Sequence, residues 1–413
     1  MTMKPTVNHA IVIGGSLGGL FTGIVLRSIG WDVDIYERSS HDLDSRGGGI
    51  VLQPDVLEVF QRTGVRYEEP LGVVAHERYY LNRDGSIAQP MSMRQVLTSW
   101  SLLYGSMRRH FPSEHYHQGK TLTDIQQNGE RVTAIFADGT QDTADLLIGA
   151  DGGGSTVRQQ FLPDVQYRYA GYVAYRGLVD ETKLNRETAA LFTERFVFYQ
   201  FPNSHILQYV IPGADESLIS GERRFNWVWY VNYDEANELP RILTDKVGKH
   251  RDYSIPAGML APDVEREMRR YADAVLAPPF QKLIAATTEP FVQAILDLSV
   301  SQMAFGRVAL VGDAAFIPRP HTAASTAKAA ANAIALADAL IKHNHDVIKA
   351  LQAWEPIQMA HGNQLMAHGQ LLGDRSQFSY GTLRYGENLD TSTYAVRKES
   401  DRYLHPNNRR ELS

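Results

Sequence analysis

Apolar and polar positions along the chain switch between three rhythms. Residues 10–13 form a short, unbroken, largely β-branched run, which suits a strand buried on both faces. Residues 20–26 take up helical spacing, and residues 33–36 alternate as a second strand. Helical spacing returns at 55–63, closed by Gly64, and at 98–111, stopped by Pro112. Strands are predicted at 76–81 and 86–91 around Arg83-Asp84-Gly85, and at 132–136 and 145–148 with Asp138-Gly139 as a hairpin turn. From Tyr172 to about Glu289 the runs 172–179, 196–201, 205–211 and 225–233 are rich in Tyr, Phe, Trp and Val, the pattern of an antiparallel sheet. A helix follows at 263–275. The apolar run 307–311 then reads as a strand, 322–340 as a helix of small residues, and 346–372 as further helix.

The parallel-type strand, the helix and the second strand at the start make a β-α-β unit with Gly14, Gly15, Gly18 and Gly19 in its first turn. Such a turn brings backbone N–H groups and a helix N-terminus to a pyrophosphate. Glu37, followed by Arg38, ends the second strand, where an acid can take the hydroxyls of a ribose. Ser16 stands where the fingerprint has its middle glycine. Gly14-Gly15-Ser16-Leu17-Gly18 also fits the nucleophile elbow of a hydrolase, but only 13 residues precede Gly14, too few for the strands and oxyanion loop that elbow needs. Two further runs share the strand–acid–helix pattern. One is Gly149-Ala150-Asp151-Gly152 with Ser155 as a helix cap; the other is Gly312-Asp313 before the turn Pro318-Arg319-Pro320-His321.

Composition narrows the setting. The 413 residues suffice for two domains, and 43% hydrophobic with 21% charged residues is ordinary for a globular protein. The net charge of −6 argues against a general nucleic-acid binder. The absence of cysteine excludes disulfides, thiolate metal sites and cysteine nucleophiles, and makes a reducing cytoplasm the simplest location. Residues 10–26 are uncharged but short and glycine-rich, so no membrane span or targeting segment is expected. His115-Tyr116-His117 and His343-Asn344-His345 are read as solvated surface. Residues 378–413 are expected to drape over the body or over a second copy in a homodimer, or to be poorly ordered.

Three spaced motifs, Gly14 to Glu37, Asp151 to Arg158 and Gly312 to His321, resemble those of the flavin-dependent aromatic hydroxylases of the p-hydroxybenzoate hydroxylase type, over roughly residues 8–370. Three finer pieces are similar to the 2,6-dihydroxypyridine 3-monooxygenase branch: residues 49–54 (Gly-Ile-Val-Leu-Gln-Pro), 170–177 (Ala-Gly-Tyr-Val-Ala-Tyr-Arg-Gly) and 318–321. The resemblance implies an α/β fold: a Rossmann-like FAD-binding domain with an inserted antiparallel substrate sheet and C-terminal helices. It divides the chain into a discontinuous FAD-binding part (1–75, 98–171, 290–345), a sheet part (76–97, 172–289) and C-terminal helices with tail (346–413). It implies FAD as cofactor, NADH or NADPH as transient co-substrate, and O2. It further implies hydroxylation of a small aromatic or N-heteroaromatic ring through a flavin C4a-hydroperoxide.

By the same resemblance Gly14, Gly15, Ser16, Leu17 and Gly19 hold the pyrophosphate, and Glu37 with Arg38 the adenosine end. Gly49, Tyr104 and Asp151 lie near the FAD, Asp313 on its ribityl chain, and Ala323 and Ala324 at the flavin end. Tyr104, Ser325 and Asn332 stand where many relatives have arginine, glycine and an acid. His205 and Tyr209, four apart and so on one strand face, are candidate groups for handling a ring hydroxyl, with His321 the third. Arg176, Tyr175 and Trp227 are candidate substrate contacts. Two alternatives stay open on the sequence alone: a flavin oxidase or dehydrogenase on the same fold, and a flavin-binding protein with little turnover.

Overall fold

The computed structural model describes residues 7–41, 43, 48–67 and 70–378. Gly47 and the expected tail from residue 379 on lie outside them. The first β-α-β unit forms as the pattern predicts: strand His9–Ile13, helix Leu17–Ser28 and a parallel strand Asp32–Glu37. It sits in a six-stranded sheet in the order Ala304–Phe305, Val308–Leu310, Leu146–Gly149, His9–Ile13, Asp32–Glu37, Tyr116–Gln118. All neighbours are parallel except the first pair. The strands buried on both faces, with Ala10, Ile11, Val12, Leu146, Leu147 and Ile148 at 0% exposure, are the unbroken apolar runs. Their C-terminal ends carry the three loops singled out in the sequence, the usual place for a ligand in an open α/β sheet.

The second layer is a ten-stranded sheet. At its centre run Arg168–Asp180, Arg224–Asn232, Ser204–Ile211 and Arg195–Phe201, each antiparallel to the next. Val73–Leu81 joins Arg195–Phe201 in parallel and continues to Ile87–Ser99 and Gly49–Val51. Phe291–Ser299 pairs on the other side. The sheet thus takes in Gly49–Val51 and Phe291–Ser299, which the sequence grouped with the nucleotide-binding part. Successive side chains point to opposite faces. Val173, Tyr175, Val179, Ile206, Val210, Phe225, Trp227 and Trp229 pack against the helices Pro262–Val275 and Pro278–Ala286 as one core. The other face turns toward the 318–324 turn.

Helix Ser325–Lys342 lies against Leu17–Ser28, close enough that only 3.7 Å would separate a Cβ on Gly18 from the Ala329 Cβ. The 32-residue helix Val347–Phe378 carries Pro356 and reaches the large sheet, where Asn232 Nδ2 donates to the Gln377 carbonyl at 2.8 Å. The expected helix 98–111 begins two residues later, at Trp100, because the strand runs on through Ser99, whose Oγ caps the helix by accepting the Leu102 N–H at 3.0 Å. The histidine pairs are not solvated surface. His115 and His117 bond Asp34, and His345 Nδ1 accepts the Trp31 indole N–H at 2.9 Å. No helix among the described residues is long and apolar enough to cross a membrane.

Candidate active site

The glycine turn is held from the strand side. Glu37 is buried, and its two carboxylate oxygens accept the Gly15 and Ser39 N–H groups, each at 2.8 Å. Tyr116 Oη donates to the Gly15 carbonyl at 2.9 Å. Gly19 cannot be larger, since a Cβ there would collide with the Gly14 carbonyl. Ser16 occupies the N-cap position but its hydroxyl makes no capping bond, and the first helical turn holds no acid. The first-turn amides are thereby left for an anion. Leu17 is buried at the helix start, and Arg38 is exposed just beyond Glu37. Tyr104 is buried, stacks on Trp100 at 4.6 Å, and reaches the glycine turn only through Tyr116, 3.4 Å from its hydroxyl.

Two further loops meet this turn. Asp151 Oδ2 accepts the N–H groups of Thr156 at 2.7 Å and Val157 at 3.2 Å, while its Oδ1 is buried without a protein partner and burial raises its pKa. Arg158, 2% exposed, ties this loop to the next through the Gly153 and Ala314 carbonyls. In the third loop Asp313 is 2.9 Å from the Lys328 ammonium, which is buried and also donates to the Phe316 carbonyl. Asn332 accepts the Gly312 N–H at 3.0 Å and donates to Gln358 Oε1 at 2.8 Å. Free first-turn amides, an orphaned buried carboxylate oxygen and a partly exposed Asp313 suit the polar chain of a flavin dinucleotide.

Between the 318–324 turn and the free face of the large sheet lies a cavity of about 290 Å³. His205, Leu207 and Tyr209 line it from one strand, Val228 and Tyr230 from the next, and Arg176 from the third. His321, Ala323, Ala324 and Ser325 close the opposite side. Ala323 is left-handed (φ 52°), and its carbonyl accepts from Gln53 Nε2 at 2.6 Å. The helix proper starts at Ser325, three residues after the start expected at 322. Gly49 is held by Asn226 Oδ1, which accepts its N–H at 3.0 Å, and has no room for a Cβ beside the Tyr209 ring.

Burial pulls His205 down to about 3 and His321 well below its usual range, so both imidazoles are neutral. Burial raises Tyr209 and pushes Tyr230 up to about 12, so both phenols keep their protons. His205 Nδ1 meets Ser376 Oγ on the long helix, and the His321 ring lies 5.3 Å from that of His205. Among the described residues the lining carries two guanidinium groups, Arg176 and Arg78, and no carboxylate. Arg176 Nε is buried without a protein partner.

Tyr175 and Trp227 are not at this cavity. Both point to the opposite face, where Tyr175 bonds Tyr233 at 3.0 Å and Trp227 Nε1 donates to Thr287 Oγ1 at 2.9 Å. Two-residue alternation puts them there once Arg176 and Tyr230 face the cavity. Residues the sequence reading left unassigned are Tyr230, Asn226, Arg78 and Ser376. The first two share the parity of the cavity face on their strand, a signal already in the sequence. Arg78 and Ser376 arrive from segments far away in the chain and carry no local mark.

Known proteins match this arrangement. A family model described as FAD binding domain-like matches residues 169–297. The 2,6-dihydroxypyridine 3-monooxygenase of Paenarthrobacter nicotinovorans is 35% identical over 380 residues, 91% of this chain and 93% of that protein. A 6-hydroxynicotinate 3-monooxygenase of Pseudomonas fluorescens is 25% identical over 89% of this chain and 91% of its own length. The solved 2,6-dihydroxypyridine-3-hydroxylase of Arthrobacter nicotinovorans superposes with a TM-score of 0.86 at 34% identity, covering 93% of this chain and 96% of that one. With the three loops at the strand ends and a cavity beside the third, the chain belongs to the FAD-dependent aromatic hydroxylases and is a flavoprotein monooxygenase that uses NAD(P)H and O2.

Proposed function

We propose that the protein hydroxylates a small hydroxylated N-heteroaromatic ring, a dihydroxypyridine, bound in the cavity between the large sheet and the 318–324 turn. The observation that carries this reading is the make-up of that cavity: two neutral imidazoles, the phenols of Tyr209 and Tyr230 that keep their protons, and two guanidinium groups, with no carboxylate among the described residues that line it. A ring bearing hydroxyl and nitrogen groups offers hydrogen-bond partners to all of them, and its ionised form pairs with Arg176. Likeness to a 2,6-dihydroxypyridine 3-monooxygenase supports the same choice.

When bound, FAD supplies the reducing and oxygen-activating chemistry with electrons from NAD(P)H. The chain's own residues do the rest. Glu37 steadies the glycine turn; Asp151 and Asp313 lie along the dinucleotide. Arg176 fixes the anionic edge of the substrate, and His205 Nε2 and Tyr209 Oη hold its oxygens. The aromatic wall of Phe196, Phe198 and Tyr230 excludes water from the reacting carbon. An electron-rich, ionised ring is the form such a site activates.

Arg78 favours a second reading. It lines the cavity while resting on Phe196 and Phe198, 5.3 and 5.0 Å from the ring centroids, so the cavity holds a second guanidinium whose positive charge favours a carboxylated ring such as a hydroxynicotinate. The test is NAD(P)H oxidation and O2 uptake with dihydroxypyridines, hydroxynicotinates, hydroxybenzoates and larger phenols, with products identified by mass. Coupled hydroxylation of a dihydroxypyridine is expected. Coupled turnover only with carboxylated rings replaces the first reading by the second, and turnover only with benzenoid phenols sinks both.

A further inference from the structure

Tyr172 stands behind His321, fully buried on the strand Arg168–Asp180. Its hydroxyl is 2.8 Å from His321 Nε2. The Arg319 guanidinium carbon lies 5.7 Å from the centroid of the Tyr172 ring. Arg319 is itself gripped by Asp297 at 2.9 Å and Asp374 at 2.6 Å. Among the described residues His321 Nε2 is the hydrogen-bond partner of this buried phenol, so the phenol proton has that nitrogen as its acceptor. Burial raises the Tyr172 pKa, so that proton stays in place. An imidazole that accepts at Nε2 and is neutral carries its hydrogen on Nδ1. Nδ1 has no hydrogen-bond partner among the described residues, and His321 lines the cavity.

We propose that Tyr172 locks His321 as the neutral Nδ1–H tautomer, so that His321 offers the substrate a hydrogen-bond donor and not a base. Tyr172 is a positioning residue. The groups facing His321 all fit this state. His205 and Tyr230 lie 5.3 and 4.5 Å away by ring centroids, Tyr172 and Arg319 stand behind it, and Arg176 and Arg78 share the cavity. None of them is an acid that would favour an imidazolium. Protonating Nε2 would also leave the buried Tyr172 proton without its acceptor. A neutral donor at fixed orientation stabilises negative charge on an oxygen without reorganising. The substrate atom at His321 is therefore an acceptor: a ring carbonyl or an ionised hydroxyl. This last step rests on the proposed cavity ligand; the tautomer does not.

The test is the long-range ¹H–¹⁵N spectrum of histidine-labelled holoenzyme without substrate, with His321 assigned by its loss in the His321→Gln variant. Expected are a protonated Nδ1, an acceptor Nε2, and no titration between about pH 5.5 and pH 8, the range in which a free imidazole changes state. A protonated Nε2, or ordinary titration, overturns the proposal whatever the substrate proves to be. Tyr172→Phe keeps the ring and removes the proton. It is expected to populate both tautomers and to add an acid limb to the pH profile of kcat/KM, with kcat falling more than KM changes. An unchanged tautomer and profile in Tyr172→Phe would also refute it. His321→Asn, which keeps a donor near the Nδ1 position, should retain about tenfold more turnover than His321→Gln, which mimics Nε2. Equal or reversed activities would count against it.

Discussion

Glu37 is the residue on which the dinucleotide loop turns. Both its oxygens are committed to backbone N–H groups, those of Gly15 and Ser39. A carboxylate has lone pairs left over for a ribose, so holding the loop and meeting the cofactor are compatible roles. Glu37→Gln separates size from chemistry. The amide has one acceptor oxygen, and its NH2 would face a backbone N–H, donor against donor. Leaving one buried donor unmet costs about 1–3 kcal/mol, which corresponds to FAD binding weaker by about five- to 150-fold. The visible spectrum of the purified variant and FAD titration of its apoprotein measure this. Unchanged affinity would mean that the loop does not need the carboxylate. Departures from the family pattern are absorbed in the same residue-by-residue way. Asn332 keeps the acceptor for Gly312 and gains a partner in Gln358, so no charge is missed there.

At the scale of elements, one carboxylate joins three strands. Asp34 accepts from His9 at 3.0 Å, His115 at 3.1 Å and His117 at 2.7 Å, pinning the edge strand Tyr116–Gln118 to the sheet centre. Burial alone would raise the Asp34 pKa, but the imidazoles outweigh it and hold the carboxyl low. His9 is raised, chiefly by its bond to Asp34. A raised histidine stabilises fully below its unfolded pKa and loses that contribution as pH rises through the folded value; a lowered carboxylate contributes above its unfolded pKa. Both conditions hold at about pH 6. Asp34→Asn should therefore lower the Tm by more at about pH 6 than at about pH 8.5. An equal loss at both pH values would show that His9 is not charged in the hub. The elements themselves were readable from periodicity, because each strand and helix buries one face or two. Strand parity was readable too, and it separates Arg176 from Tyr175 and Tyr230 from Trp229. The hub was not, since Asp34 and His117 are 83 residues apart and nothing local marks them as neighbours.

Across the whole molecule, the cavity is shaped by parts that the chain brings together late. Arg319 sits in the turn that presents His321, and its guanidinium joins three elements. Asp297 belongs to the large sheet, Asp374 to the long C-terminal helix, and Tyr172 to the strand behind the cavity. Arg319 and Asp297 are both about 95% buried, whereas Asp374 is more than half exposed, so the Asp297 pair carries the energetic weight. Taking the arginine away strands a buried carboxylate, and breaking such a pair from one side costs about 3–5 kcal/mol. Gln370 and Arg168 also touch Asp297, at 3.2 and 3.5 Å, and soften that cost. Arg319→Met is expected to unfold at markedly lower denaturant. In the folded enzyme it should oxidise NAD(P)H with a larger share lost as hydrogen peroxide, because the turn no longer holds His321 against the substrate. Adding Asp297→Leu removes the stranded charge, so the double variant should lose less stability than the sum of the two single losses. The double-mutant cycle in denaturant measures that coupling, and peroxide release measures the grip on the substrate. Strictly additive losses would mean that the pair does not join the sheet to the turn. Full coupling of turnover in Arg319→Met would mean that the packing of the long helix alone positions His321.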